Sequence, residues 1–582
     1  MPPFLDYRDF VFPLNVHAHT LMLEEGSVEH LHYGLFKGTE TSISAAQRNF
    51  SQWVLEHLPS PPCRVLEVGI GLAATLVELK QLGYEVTGIT PDPARVKHAR
   101  EHFGENLPVT CARLKDFPAP AESFDVILFQ QSAQHIFPLD IFSRSAELLA
   151  AGGEILILDE FALDRAKPGK EKLHLLKHFI ALAGRFGFEV AEQLDLSLMA
   201  APTLDYLLAG VKKHRARLAQ DLDLSPSLLD ELNRSNQADR ERYAAGHYGY
   251  VLLRLRKSAT PPRWRIGEIT EANHEQMLAL FKRCFGHEMS EAHWHWKYAE
   301  GRGQAIGVWQ DNDLVAHYGG TTQDILFFGQ PQKGLYPCDV MVKQEGRGSL
   351  SRKGPLALVT ATFLESYQGY GNKHVVALGF PNERANAVAK HLGFHYDGEV
   401  DHMVEIDWML KPCKPRVWTE IAKLDRDDGY SKKAANQVWQ KMSRDFTAGL
   451  ICVRDWNYLK HRYFDHPDKH YEACVVRNRI SKRPYGVIVY HRHERDCELL
   501  DVIAPLKEIP ALINQARMIA GRLGADRIYC WTAAHYSNFF ESTGGKARDL
   551  RISIPACLWT AGPTLDQIRQ RCWLMGGDMD FR

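Results

Sequence analysis

The 582-residue chain has no uninterrupted apolar run approaching the ~20 residues that a membrane span requires. It also lacks an excess of charge of either sign: 70 Lys and Arg stand against 71 Asp and Glu, a formal net charge of -1. That balance removes any general attraction to nucleic acid or to an anionic membrane surface. Its 11 cysteines are an odd number, and none falls in a Cys-x-x-Cys or a Cys/His spacing suited to zinc. A reduced environment and no metal are therefore expected, not a disulfide framework. The opening Met1-Pro2-Pro3-Phe4-Leu5-Asp6 lacks the basic and then apolar stretches of a signal peptide. These absences together predict a cytoplasmic chain that does not enter the membrane. What is present is the composition of a folded protein, 45% hydrophobic and 24% charged. At this length two to four domains are expected.

The clearest pattern lies between residues 63 and 161. Arg64-Val65-Leu66-Glu67-Val68 reads as a buried parallel strand, broken by Gly69-Ile70-Gly71. A helical stretch follows over 73–82, then a strand over 84–89, a helix over 93–103 and a strand over 124–129. Gly152-Gly153 turns into the apolar run 154–158, and residues 247–255 read as a last strand. Strands alternating with helices of this length predict a doubly wound α/β sheet, mostly parallel and covered on both faces. Ser258-Ala259-Thr260-Pro261-Pro262 reads as a linker, because two prolines end regular structure there. A first domain of residues 1–257 results.

A glycine-rich turn after the first strand lets a ligand approach the backbone. Glu67, two residues before Gly69, is placed to accept a hydrogen bond from the amino group of an amino-acid moiety. Thr90, at the end of the second strand, would meet ribose hydroxyls, and Asp116 an adenine amino group. The ordered set 65–71, 86–91, 124–127 and Gln131-Ser132-Ala133-Gln134-His135-Ile136 resembles the motifs of class I S-adenosylmethionine-dependent methyltransferases. The Thr87-Gly88-Ile89-Thr90-Pro91 stretch is similar to the cyclopropane-synthase-like and small-molecule branch. The resemblance implies S-adenosylmethionine as cofactor, with Glu67, Gly69, Gly71, Thr90, Asp116 and Gln131 around it. Residues 28–36 resemble the lid of that branch, which would bring Tyr33 and Gly34 to the methionine carboxylate. Two departures stand out: Ala73 replaces the third glycine, and Thr90 the acidic ribose ligand. His135, beyond the fourth strand, is the candidate general base, with His30 and His32 as further candidates.

Beyond the linker the chain repeats itself. Trp294-His295-Trp296-Lys297-Tyr298 has an echo in Tyr458-Leu459-Lys460-His461-Arg462-Tyr463. Asp339-Val340-Met341-Val342 is echoed by Asp501-Val502-Ile503-Ala504, and residues 374–394 by 527–545. Three pairs in one order predict a duplicated domain, at 263–410 and 411–582. Both copies resemble GNAT-type acyltransferases, which implies acetyl-coenzyme A or another acyl-coenzyme A as donor. In the first copy Gly346, Arg347 and Gly348 take the place of the pyrophosphate loop, and Asn382 the place of the family's helix-start asparagine. The tyrosine that protonates the leaving thiolate in that family would fall at Ala389, so acyl transfer here either lacks that acid, uses another residue such as Tyr396, or does not occur. In the second copy the corresponding loop, Ala504 to Pro510, has no glycine, so that copy is expected to be degenerate and structural or acceptor-binding.

Residues 411–483 hold 17 Lys and Arg against 9 Asp and Glu. Such a surface suits phosphates, an acyl-carrier protein or tRNA. The expected protein is a bifunctional biosynthetic enzyme: a methyl group goes to a small-molecule or carrier-tethered acceptor, and an acyl group is transferred by the C-terminal module. Two alternatives remain open at this stage. The C-terminal half also resembles Fem-type aminoacyl-tRNA-dependent transferases, and a non-catalytic scaffold that presents substrate fits the departures.

Overall fold

The computed structural model describes residues 10–38, 42–164, 173–343, 351–410 and 418–581. The chain forms two compact units that divide between Arg265 and Ile266.

Unit one is a seven-stranded sheet of β1 (Arg64–Val68), β2 (Glu85–Thr90), β3 (Val109–Cys111), β4 (Phe124–Gln130), β5 (Leu149–Ala162), β6 (Phe188–Asp195) and β7 (Tyr248–Lys257). Its order is β3-β2-β1-β4-β5-β7-β6. Strands β1 to β5 pair in parallel, and β7 runs antiparallel to both β5 and β6. The central strands are nearly continuous runs of Val, Leu and Ile and are buried, as a sheet covered on both faces requires. The last strand read from the sequence is β7, and it enters between β5 and β6. Strand order reverses between β1 and β4, so a crevice opens at their carboxyl ends, where such folds place ligands.

Helix starts follow local chemistry. Ser42 caps Ile43–His57 by accepting from the Ala45 amide at 3.2 Å, and Asp92 caps Pro93–Phe103 by accepting from Ala94 at 2.9 Å. Between β6 and β7 the chain inserts four helices: Ser197–Ala200, Pro202–Lys213, Arg215–Asp221 and Pro226–Ala244. Val211, Leu218, Leu229 and Leu232 of this insertion share a core with Val16 and Ala18 of the helix Leu14–Glu25. Leu72, from the turn after β1, joins the same core, so the helical cap sits against the glycine turn.

Unit two contains two related sheets. The first holds β8 (Arg265–Glu268), β9 (Gly303–Gln310), β10 (Asp313–Phe327), β11 (Gln330–Val342) and β12 (Val376–Ala377), with β15 (Leu450–Cys452) and β21 (Cys572–Trp573) added. The second runs β14 (Thr419–Lys423), β16 (Glu472–Asn478), β17 (Pro484–His493), β18 (Asp496–Ile503), β19 (Arg527–Ala533), β13 (His395–Met409), β20 (Lys546–Cys557). The strand pairing runs through one pattern twice. Antiparallel β9-β10-β11 followed by parallel β12 matches antiparallel β16-β17-β18 followed by parallel β19. The repeats are not separate bodies, however. The last strand of the first repeat, β13, lies in the second sheet between β19 and β20, paired from Met403↔Ala533 to Met409↔Arg527. A boundary at 410/411 therefore divides the sequence but not the fold. Among the described residues no helix is long and apolar enough to cross a membrane.

Candidate functional site

The carboxyl ends of β1 to β5 share one edge of the first sheet, and most of the expected cofactor residues gather there. Glu67 is buried, and Gln130, at the end of β4, donates its side-chain amide to Glu67 Oε1 at 2.8 Å. Among the described residues Glu67 Oε2 has no hydrogen-bond partner. Burial pushes this carboxyl up to about 8, and the Gln130 hydrogen bond only partly offsets it. A buried carboxylate with one unsatisfied oxygen is costly by itself and suited to a cationic donor. The two glycines beside it differ in what they need. Gly69 has φ +85°, and a Cβ there would come within 2.6 Å of Ser132 Cβ; its turn is pressed against the loop after β4. Ser132 ties that contact down by donating to the Val68 carbonyl at 2.5 Å. Gly71 has φ +52°, and a Cβ there would meet only open space. Its side faces room that a ligand can use. Ala73, in place of the third glycine, also adopts a left-handed conformation, with φ 65°, as it caps the helix Ala74–Gln81.

The other expected residues take varied positions. Thr90 is buried, and its hydroxyl oxygen accepts the Asp92 amide at 3.3 Å. Asp116 is exposed, at the end of a single 3-10 turn after β3. Gln131 reaches back to the lid segment, where Oε1 accepts the Tyr33 amide at 2.6 Å. Gly34 packs where a Cβ would fall 2.5 Å from Ala46 Cβ, and both its amide and its carbonyl engage the Thr203 hydroxyl, at 3.1 and 3.3 Å. His135 is exposed, in the 3-10 turn Ala133–His135. His32 stacks on Phe50 with ring centres 4.0 Å apart, and burial lowers it to about 3, which keeps it neutral.

At the end of β5 the structure assembles a cluster that the motifs only touched. Tyr243, from the helix Pro226–Ala244, donates to Glu160 Oε1 at 2.7 Å. Tyr33 and Gln134 also hydrogen-bond Glu160. Burial raises the Glu160 carboxyl to about 7, with the Tyr243 hydrogen bond opposing and Asp239 adding to the rise. Its neighbour Asp159, likewise raised to about 7 by burial, accepts from the backbone amides of Gln134 at 3.0 Å and Glu160 at 2.8 Å. Asp159 thus holds the loop that carries His135, while Glu160 faces a ring of tyrosines. Tyr250 completes that ring, stacked on Tyr33 at 5.9 Å. A carboxyl that titrates near neutrality at a sheet edge is equipped for proton transfer.

Unit two has a fork between parallel strands in each repeat. Strands β11 and β12 pair only at Gly334↔Val376 and Leu335↔Ala377, and then part. Just past this fork Asp339 has φ 51°, the β10–β11 register shifts, and Val340 stands exposed. Strands β18 and β19 likewise pair only from Asp496↔Arg527 to Leu499↔Cys530. Their fork holds the chain's own terminal segment. Thr532 bridges to Met575, and the Ala533 amide donates to the Leu574 carbonyl at 3.0 Å. A side chain at Gly577 would run into the Tyr463 hydroxyl and the Leu500 carbonyl. The fork of the second repeat, whose loop 504–510 lacks glycine, is therefore closed by residues 573–578, all buried. Equivalent hydrogen bonds mark the two repeats: Tyr298 donates to Asp339 Oδ2 at 2.5 Å, and Tyr463 to Asp501 Oδ2 at 3.1 Å.

Gly346, Arg347 and Gly348 lie outside the described residues. Asn382 caps the helix Glu383–Leu392, its Oδ1 accepting the Ala385 amide at 2.9 Å. Tyr396 is half-buried at the start of β13, beside the core that includes Tyr336 and Met403. In the basic stretch 411–483 several cations are already paired: Arg477 and Lys482 with Glu420, Arg426 with Asp465, and Arg454 with Asp501.

The chain is a fusion of two α/β transferase modules. Residues 66–157 match the family described as a methyltransferase domain, and residues 265–396 the family described as an acetyltransferase (GNAT) domain. The chain accordingly carries a methyltransferase domain followed by a GNAT acetyltransferase domain. The uncharacterized methyltransferase YodH of Bacillus subtilis (strain 168) is 28% identical over 162 residues, covering 25% of this chain and 69% of that protein. Erythromycin 3''-O-methyltransferase of Saccharopolyspora erythraea is 32% identical over 116 residues, 18% of this chain. The match spans only 38% of that second relative. Among solved structures, the cyclopropane synthase MmaA2 from Mycobacterium tuberculosis aligns at 18% identity with a TM-score of 0.34, over 43% of this chain and 93% of that one.

Proposed function

We propose that unit one transfers a methyl group from S-adenosylmethionine to an oxygen or nitrogen of a small-molecule or carrier-tethered acceptor, and that the first repeat of unit two transfers an acyl group from acyl-coenzyme A to an amine. The observation that carries the first half is Glu67 Oε2, a buried carboxyl oxygen without a hydrogen-bond partner among the described residues, on the strand that leads into the turn of Gly69 and Gly71. The ammonium of a methionine moiety supplies the donor this oxygen lacks. When bound, S-adenosylmethionine supplies an electrophilic methyl group. The chain's own part is to hold the ammonium at Glu67, exclude water beneath the helical cap, and take the acceptor's proton. Glu160 suits that last task, with Tyr33 and Tyr243 orienting it; His135 stands at the rim of the same edge. The acyl half is supported by the match of residues 265–396 to an acetyltransferase (GNAT) domain, with the parallel fork of β11 and β12 inside it.

Calorimetry with S-adenosylmethionine and with acetyl-coenzyme A, followed by mass spectrometry of cell extract incubated with both, tests the reading. Expected are one site for each ligand and release of S-adenosylhomocysteine and of coenzyme A. E160Q should retain S-adenosylmethionine binding and lose about a hundredfold in methyl transfer, whereas H135A should lose less. Failure of S-adenosylmethionine to bind would end the methyl-transfer half alone.

A further inference from the structure

The segment that closes the second repeat does not stop there. Arg462 donates from Nε to the Gly577 carbonyl and from Nη2 to the Met579 carbonyl, both at 2.9 Å. Asp578 is held from both repeats: Tyr336 of β11 donates to Oδ1 at 3.0 Å, and the wholly buried Arg454 to Oδ2 at 2.5 Å. Two residues on, Asp580 Oδ2 meets Lys297 Nζ at 2.8 Å, and Lys297 also contacts Asp339 Oδ1 at 2.9 Å. The tail thus crosses from the filled fork of the second repeat to the backbone irregularity of β11 in the first. Of the groups at that point, Lys297 and Asp339 have side chains only 2% and 5% exposed, whereas Asp580 retains 25%. Both oxygens of Asp339 are engaged, by Lys297 and by Tyr298. Cys338, Asp339 and Asp580 lie close enough to share a metal ion, but the Lys297 ammonium already bridges the two carboxylates.

We infer that Asp580, carried in by the terminal segment, is the carboxylate that receives the proton of the acceptor amine in the first repeat's acyl transfer. The inference rests on the acyl-transfer reading above. The amine nitrogen bonds to the thioester carbonyl carbon, and the carbon–sulfur bond breaks. The proton leaving nitrogen passes to Asp580 and then to the departing thiolate, so amine and acyl-coenzyme A give amide and free thiol with no other reactant. Lys297 is a positioning residue in this scheme, fixing the carboxylate against β11. The second repeat then has a defined use: its fork is the clamp that aims the tail.

Water can stand in as acceptor, so the test needs no identified amine. The full chain is given acetyl-coenzyme A, thiol release is followed with a disulfide reagent, and affinity is measured by calorimetry. D580N, which keeps size and shape, should bind acetyl-coenzyme A within twofold of the native chain and release thiol about a hundredfold more slowly. D580E should recover a substantial part of the rate. Melting curves accompany each variant, and rates are taken at a temperature where all are folded. A folded D580N that releases thiol at the native rate overturns the inference, as does a folded D580E no faster than D580N. So does a native chain that binds acetyl-coenzyme A and releases no thiol. Absence of acetyl-coenzyme A binding would instead overturn the underlying acyl-transfer reading.

Discussion

Glu67 shows how one side chain can carry both a cost and a function. Its folded pKa of about 8 lies well above the ordinary 4.5. The folded state therefore holds this proton more tightly than the unfolded state does. The resulting contribution to stability is fully present below pH 4.5 and is lost as pH rises toward 8. E67Q removes the titration, so its melting temperature should fall less than that of the native chain between pH 5 and pH 8. A ligand ammonium pairs with the ionised form, so S-adenosylmethionine binding at pH 7 should release a proton, visible as a buffer-dependent heat. In E67Q that release should vanish and affinity should drop by about 2 kcal/mol, roughly thirtyfold. Binding of undiminished strength would show that the orphaned oxygen has another purpose. Glu160 follows the same sign rule but with its midpoint near 7. Methyl transfer that depends on its ionised form should rise through neutrality, and Y243F, which removes a hydrogen bond favouring that form, should move the midpoint upward.

At the scale of elements, the turn 69–71 separates two reasons for glycine that look alike in sequence. Alanine at either position meets a left-handed backbone, costing about 1 kcal/mol. At Gly69 it also strikes Ser132, so G69A should destabilise unit one further and disturb the loop that carries Gln131 and His135. At Gly71 nothing in the protein is struck. G71A should therefore melt only slightly early yet bind S-adenosylmethionine at least tenfold more weakly, if the cofactor fills that room. Equal losses of stability and binding at the two positions would contradict the assignment. Ala73 shows the left-handed conformation surviving where the glycine did not.

The same elements show what could be read in advance. β1, β2, β4 and the glycine turn are local signals, each encoded in a few consecutive residues, and the sequence places them to within a residue or two. The parallel pairing follows from alternating strands and helices. Glu160 and Tyr243 are 83 residues apart, the second on a polar helix without a motif, and only the insertion between β6 and β7 brings them together. Gln130 is equally silent, a strand-end residue whose partner Glu67 lies 63 positions away. The echo of Asp339 at Asp501 was legible because each keeps a tyrosine as its hydrogen-bond donor. The exchange of β13 was not, because an amphipathic strand has the same pattern whichever sheet receives it.

At the scale of the whole chain, that exchange governs how unit two can be cut. Strand β13 contributes buried Val400, Met403, Val404, Ile406 and Trp408 to cores it shares with β19, β20 and the helices of the second repeat. In a chain spanning only 266–410 this strand would present those side chains to water, along with two unpaired edges. Each large apolar side chain left exposed forgoes roughly 1.5–3 kcal/mol, so the loss approaches the 5–15 kcal/mol that stabilises a typical domain. The 266–410 piece should therefore aggregate or remain unfolded, even though it contains all but the first residue of the 265–396 GNAT match. A chain spanning 266–582 should fold with one cooperative transition, because β13 and the 573–581 segment tie the repeats together in both directions. Two resolved transitions in that chain, or a well-folded monomeric 266–410, would mean that the shared strand is an accessory to two independent cores.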